Sequence, residues 1–235
     1  RSAGHLVPKL VADLELEAAR AVSTPAVRYD AKVEDASRET LEFAQAQLFK
    51  KATGALMWLA LRRADLQYAA KKTARGMSTP PALDMLHLRR AVKYVRDRAH
   101  SELKIELPRL PQSIETFVDS DWAGDASTRR STSGGRALLG DVVISSWSRS
   151  QKSVSLSSAE AEFYAICTGA VESRFAQTML SELGYDLNIR VKTDSSAARS
   201  FTGKPGLGRM THVQLREMFL QELLETGVKS LETIA

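Results

Sequence analysis

The chain has 235 residues, 43% of them hydrophobic, 26% charged and 6% aromatic, a globular balance that excludes a disordered, collagenous or low-complexity protein. Its 33 Lys+Arg against 28 Asp+Glu leave a formal charge of +5, a mild excess compatible with a polyanionic partner. The single cysteine, Cys167, excludes an internal disulfide framework and a zinc site built on several thiolates, and fits a reducing compartment, cytoplasm or nucleus, rather than secretion.

No apolar run reaches the roughly 20 residues that a membrane span needs, so no membrane partner is expected. The first residues show no signal-peptide pattern and no initiator Met, and the chain is read as a piece of something longer. Residues 1–110 hold 20 basic and 13 acidic side chains, residues 111–235 hold 13 and 15. That change of character suggests two units, and patterning along the chain divides it into an irregular lead-in over 1–38, a basic helical region over 39–110 and a separate domain over 111–235.

Along the chain, residues 8–38 mix a short amphipathic stretch with Ser23-Thr24-Pro25 and show no sustained period. Glu39 to Arg63 places Phe43, Leu48, Phe49, Leu56, Trp58 and Leu59 at helical spacing, with Gly54 as a weak point. A second helix is predicted over about Ala64 to Met77. The Ser78-Thr79-Pro80-Pro81 breaker ends it, and Leu83, Leu86, Val92 and Val95 form the stripe of a third. Ten basic residues between Arg62 and Arg98 fit either a phosphate backbone or a solvated face. Past Pro111 the pattern turns to strands: Glu115 to Trp122, Gly135 to Leu139 and Val142 to Trp147, the last two joined by a Gly140-Asp141 hairpin turn. A long helix starts at Ser157, and a strand over Ile189 to Thr193 ends at Asp194. Helices over Ala197–Phe201 and Thr211–Thr226 and a strand over Val228–Ile234 complete the chain. The order βββαβααβ argues for a mixed α/β sheet covered by helices.

Three carboxylates fall where these elements converge: Asp119 in the first strand, an acidic residue in the first turns of the long helix, and Asp194. Hard oxygen donors of this kind suit Mg²⁺, and two such ions about 4 Å apart stabilise both attacking and leaving oxygens of a phosphodiester. On the helix the choice lies between Glu160 and Glu162. Ser157-Ser158-Ala159-Glu160 is a capping box, in which Glu160 reaches back to the cap's N–H, so it already has a structural occupation. Glu162 shares a face with Ile166 and Gly169, and small Ala165 and Gly169 permit close approach to a sheet; Glu162 is the predicted ligand. Asp121 lies on the same strand face as Asp119, as an outer partner or as a cap of the following turn. Trp58, Trp122 and Trp147 are expected at the core or its edge, and Cys167 as a buried small hydrophobe.

Residues 115–235 resemble the ribonuclease H domain at the end of the copia-type retrotransposon Pol polyprotein. The blocks that carry the likeness run in order: Phe117-Val118-Asp119-Ser120-Asp121-Trp122-Ala123-Gly124-Asp125, Arg130-Ser131-Thr132-Ser133-Gly134, Ser146-Trp147-Ser148-Arg149-Ser150-Gln151-Lys152, Leu156 to Ala165, and Asp194-Ser195-Ser196-Ala197. Upstream, Thr53-Gly54-Ala55-Leu56-Met57-Trp58-Leu59-Ala60 and Leu88-Arg89-Arg90-Ala91-Val92-Lys93-Tyr94-Val95 resemble the piece that joins reverse transcriptase to ribonuclease H. The likeness implies a ribonuclease H-like mixed five-stranded sheet with flanking helices. It also implies an RNA/DNA hybrid as substrate, two Mg²⁺ ions with Mn²⁺ as a substitute, catalytic and metal-binding roles for Asp119, Glu162 and Asp194, and the remainder of the Pol polyprotein as partner.

Arg130, Ser131 and Ser133 are candidates for phosphate contact, and His212 and Arg216 for the substrate side. Gln214 stands where the family usually has an acidic residue, and the family's further aspartate falls on a helix past Ala235. A second reading, a domesticated copy that binds nucleic acid without cutting, follows from those two departures. A phosphatase reading of Phe117-Val118-Asp119-Ser120-Asp121 lacks the later motif it requires. No aromatic-x-Asp-Asp polymerase motif occurs.

Overall fold

A computed structural model describes residues 5–98, 105, 111–125, 128–195, 222 and 228–233. The chain divides into two compact units, Arg1–Leu103 and Lys104–Ala235.

The first unit is helical: α1 (Leu6–Asp13), α2 (Ala31–Ala36), α3 (Phe43–Ala60), a single 3₁₀ turn (Ala64–Leu66), α4 (Gln67–Arg75) and α5 (Ala82–Arg96). The expectation of an irregular lead-in is corrected here. Val7, Leu10 and Val11 of α1 are buried, and Leu14 and Leu16 beyond it join a core with Phe49, Leu56, Leu88 and Val92. The two-turn helix is too short to show a period, and Pro8 reads as a breaker although the first turn, with no N–H to satisfy, tolerates it. α3 runs unbroken through Gly54, beside which a Cβ would meet nothing within 4 Å. Its buried stripe is Phe49, Ala52, Thr53, Leu56, Leu59 and Ala60; Trp58 falls on the other side and is 60% exposed, contrary to its predicted core place.

Several of the basic residues in this unit are engaged by its own chain. Arg63 pairs with Asp65 at 2.6 Å. Arg90 donates to Thr24 Oγ1, Arg96 to the Leu16 carbonyl and Arg98 to the Val22 carbonyl, so α5 pins the segment that follows α1. Each of these four arginines thus commits at least one of its five donors to an acceptor of its own unit.

The second unit holds β1 (Ser113–Asp121), β2 (Thr132–Leu139), β3 (Val142–Ser150), α6 (Ser158–Glu182), β4 (Asn188–Thr193) and β5 (Val228–Thr233) in one sheet of order β3-β2-β1-β4-β5. β1, β2 and β3 pair antiparallel, while β4 pairs parallel with both β1 and β5. This is the ribonuclease H-like mixed α/β sheet that the resemblance implies. The hairpin turns at Gly140, whose φ of 61° is the left-handed value that a two-residue turn requires. Trp147 is 4% exposed and covers its cross-strand partner Gly135, where a Cβ would fall 2.3 Å from the indole. Among the described residues no helix is long and apolar enough to cross a membrane. The helices predicted over 197–201 and 211–226 lie outside the described residues, apart from helical Glu222.

α6 covers the sheet and is fixed at both ends. Ser157 Oγ accepts from the Glu160 N–H at 3.1 Å to cap its start. At its end Gly184, with φ of 86°, closes a Schellman motif in which Tyr185 N–H donates to the Leu180 carbonyl and Gly184 N–H to that of Ser181.

Candidate metal centre

The helix meets β1 along one stripe. Gly169 lies so close to Val118 that a Cβ there would approach Val118 Cγ1 to 2.4 Å. One turn on, Ser173 Oγ and Thr116 Oγ1 are 2.6 Å apart, both fully buried. Two turns back along the helix, Glu162 reaches Ser120. The pairs Glu162–Ser120, Gly169–Val118 and Ser173–Thr116 step in opposite directions along helix and strand, so α6 runs antiparallel to β1. The absence of a side chain at Gly169 sets how near Glu162 comes to the sheet.

Asp119 and Asp194 come together through strand register. β1 and β4 are parallel neighbours paired as far as Phe117 with Lys192, and two residues further on the same register sets Asp119 beside Asp194. Adjacent strands lie about 4.8 Å apart. One oxygen from each of Asp119, Glu162 and Asp194 lies within 4.8 Å of the others. Asp121 stays outside this group: its carboxylate folds over Gly124, where a Cβ would fall 1.9 Å from it. It lies over that turn and also adds its charge at Asp119.

Glu160 is 2% exposed and occupied, accepting from the Leu156 N–H at 2.7 Å, one residue before the cap, and from Tyr164 Oη at 2.8 Å. Capping logic and geometry therefore agree in leaving Glu162 to face the aspartates. Burial, above all, raises the Asp119 carboxyl above its ordinary range, opposed by the Ser120 N–H and aided by the charges of Asp194 and Asp121. Glu162 is raised in the same way: burial dominates, the Ser120 hydroxyl opposes it, and Asp119 and Asp194 add repulsion. Glu162 Oε2 is buried without a hydrogen-bond partner. An orphaned carboxylate oxygen beside two further carboxylates is a donor set that suits a hard divalent cation.

A polar network steadies this end of α6. Gln151, 7% exposed, donates from Nε2 to Ser133 Oγ at 3.0 Å and to the Ala161 carbonyl at 2.8 Å, and its Oε1 accepts from Ser155 Oγ at 2.7 Å. The Ser155 carbonyl in turn accepts from Trp122 Nε1 at 3.1 Å. Trp122 is 49% exposed, so its expected core place is corrected to a hydrogen-bonded position beside the site.

The predicted phosphate-contacting serines are also corrected. Ser131 is fully buried and its Oγ accepts from the Ala123 N–H, holding a non-glycine residue at φ of 51°; Ser133 is 4% exposed and bonded to Gln151. Alternation and turn residues had not shown that both hydroxyls point inward. Arg130 is exposed. His212 and Arg216 lie outside the described residues. Sequence reasoning missed Ser120 and Gln151 as supports of the site, because nothing in spacing marks a residue that acts through another's carboxylate or carbonyl.

Fold and site together define a ribonuclease H-like domain with a three-carboxylate centre. No family model matches the sequence. The chain is 36% identical over 138 residues to an uncharacterised mitochondrial protein of Arabidopsis thaliana, covering 59% of this chain and 57% of that protein. It is 29% identical over 182 residues to the retrovirus-related Pol polyprotein from transposon RE2 of the same plant, covering 76% of this chain and 12% of the polyprotein. Among solved structures, the compost-derived LC11-RNase H1 superposes with a TM-score of 0.40 at 13% identity, covering 53% of this chain and 84% of that one. These likenesses point to the copia-type, retrovirus-related Pol polyproteins of transposons as what the chain is similar to. The chain spans 57% and 12% of the two relatives' own lengths.

Proposed function

We propose that the second unit is a ribonuclease H-type endonuclease domain, which hydrolyses the RNA strand of RNA/DNA hybrids within a reverse-transcribing Pol polyprotein. The observation that carries this reading is the convergence of Asp119, Glu162 and Asp194 to within 4.8 Å. Likeness to Pol polyproteins of transposons supports the hybrid as substrate class and the rest of such a polyprotein as partner. The three carboxylates would hold Mg²⁺, or Mn²⁺ in its place. Bound divalent ions supply charge stabilisation to the attacking and leaving oxygens of a phosphodiester.

The chain's own contribution is preorganisation. β1 and β4 deliver two aspartates at one sheet end, α6 delivers the glutamate, and the Gln151 network keeps the helix start from shifting. Glu162 is buried at the back of the cluster while Asp119 and Asp194 are exposed, so the carboxylates are open to a cation and to substrate from the solvent side. Hybrid selectivity in this reading comes from the backbone and the 2′-hydroxyls rather than from base edges.

The test is Mg²⁺-dependent cleavage of a labelled RNA/DNA hybrid, with duplex DNA of the same sequence beside it. Hybrid-specific cutting by the wild type, lost in Asp119→Asn, is the expected result. No cutting, with hybrid binding that weakens as salt rises, would leave the non-cutting binding protein as the reading.

A further inference from the structure

We propose that Ser120 is the positioning residue that orders the Glu162 carboxylate for cation binding, an inference that rests on the three-carboxylate reading of the site. The Ser120 hydroxyl donates to Glu162 Oε1 at 2.6 Å, and the Ser120 backbone N–H donates to the same oxygen at 3.1 Å. That N–H is shared with Asp119 Oδ1 at 2.8 Å. A single residue therefore holds one oxygen of each of two carboxylates.

The strand pairing explains why these donors are available. β4 accompanies β1 only as far as the Phe117–Lys192 pair, and beyond it the Ser120 N–H turns to carboxylates instead of a neighbouring strand. The two oxygens of Glu162 are thereby divided. Oε1 has two donors and is anchored, while Oε2 is buried and has none.

A glutamate turns about three side-chain torsions, and ordering them at the moment of binding opposes affinity. Two hydrogen bonds on Oε1 impose that order beforehand and leave Oε2 to the cation. Outer partners of this kind set the orientation of the groups that ligate a metal. Alanine at 120 keeps the strand and the N–H bonds and removes only the 2.6 Å contact, so the hydroxyl's part can be isolated.

The experiment is titration of the full 235-residue chain with Mn²⁺, following free ion by electron paramagnetic resonance, in wild type, Ser120→Ala, Ser120→Thr, Ser120→Cys and Glu162→Gln. Metal-free unfolding is recorded for each. Ser120→Ala is expected to weaken Mn²⁺ binding roughly tenfold or more, as loss of outer-shell partners does, with its metal-free unfolding midpoint close to wild type. Ser120→Thr restores the hydroxyl and should restore the affinity. Ser120→Cys, near-isosteric but a weak donor, should share the loss, and it carries the test if the alanine variant does not fold.

Wild-type affinity in Ser120→Ala or Ser120→Cys, with weakened binding in Glu162→Gln, overturns the role of Ser120 and leaves the carboxylate centre standing. A folded Ser120→Thr that binds as poorly as alanine overturns it as well. Wild-type affinity in Glu162→Gln overturns the carboxylate centre itself, and the role of Ser120 falls with it.

Discussion

The two units bury different kinds of side chain. In the helical unit the buried polar side chains among the described residues are Thr53, Thr73 and His87. Among its described residues the ribonuclease H-like unit buries ten, including Thr116, Ser133, Gln151, Glu160, Glu162 and Ser173. The core of the first is held by apolar contact, which tolerates substitution as long as volume is kept, and its long-range side-chain hydrogen bonds come from arginines at the edge of that core. In the second, helix and sheet are also tied by hydrogen bonds at named atoms, and such bonds fix position as well as contribute stability. Positional fixing is what a cluster of three carboxylates needs, since repulsion would otherwise drive them apart.

The largest effect should come from the apolar core of the first unit. Leu88 is fully buried, and Leu88→Ala is expected to lower that unit's stability by about 2–5 kcal/mol, as cavity-forming truncations do. Chemical denaturation should show one transition moving while Mn²⁺ affinity stays at the wild-type value. A matching fall in affinity would break the separation of roles.

Gln151→Ala should do the reverse. It removes the partner that Gln151 gives to Ser155 Oγ, Ser133 Oγ and the Ala161 carbonyl. With the hydroxyls free to turn, each loss falls at the low end of about 1–3 kcal/mol for a stranded buried group, and the second unit should lose roughly 3 kcal/mol. Cation affinity should fall with it, because Ala161 precedes Glu162. Gly169→Ala should be milder, about 1–3 kcal/mol of overpacking against Val118, read as a shifted unfolding midpoint together with weaker Mn²⁺ binding.

A pH experiment sharpens the comparison from the helical side. Burial, reinforced by Lys72 and Arg90, lowers His87 from an ordinary 6.5 to about 4. Its contribution to stability is therefore present above pH 6.5 and lost as pH falls through about 4. Burial, opposed by Lys72, raises Asp84 from 3.8 to about 6. Its contribution is present below pH 3.8 and lost as pH rises through about 6. Between pH 4 and 6 the two slopes oppose each other, so urea midpoints of the wild-type first unit should be nearly level with pH. His87→Gln should leave midpoints that fall across that window, and Asp84→Asn midpoints that rise. Level midpoints in both variants would sink this account. The smallest effect belongs to exposed Trp58, where Trp58→Ala should change stability by no more than about 0.5 kcal/mol.

Much of the second unit was legible before any coordinates. Period-two patterning located the strands, Gly140 marked the hairpin, and Ser157 with Glu160 marked the start of α6, all because local backbone preference and solvent partition act within a few residues. Capping logic separated Glu162 from Glu160 for the same reason. Legibility was poorer where a helix was short, as at α1, or where two sides of a helix carried similar residues, as at Trp58.

The sequence by itself pointed to the three carboxylates, the strands and long helix of the second unit and the change of charge between the two halves, since these follow from composition, from periodicities and caps read along the chain and from the motif blocks. Only the tertiary structure decided how closely Asp119, Glu162 and Asp194 approach one another, that Ser131 and Ser133 turn inward, and that Ser120 holds the glutamate. Each of those depends on which strand stops pairing where and on how closely α6 can approach β1. Such distances arise between residues far apart in the chain, and no local pattern encodes them.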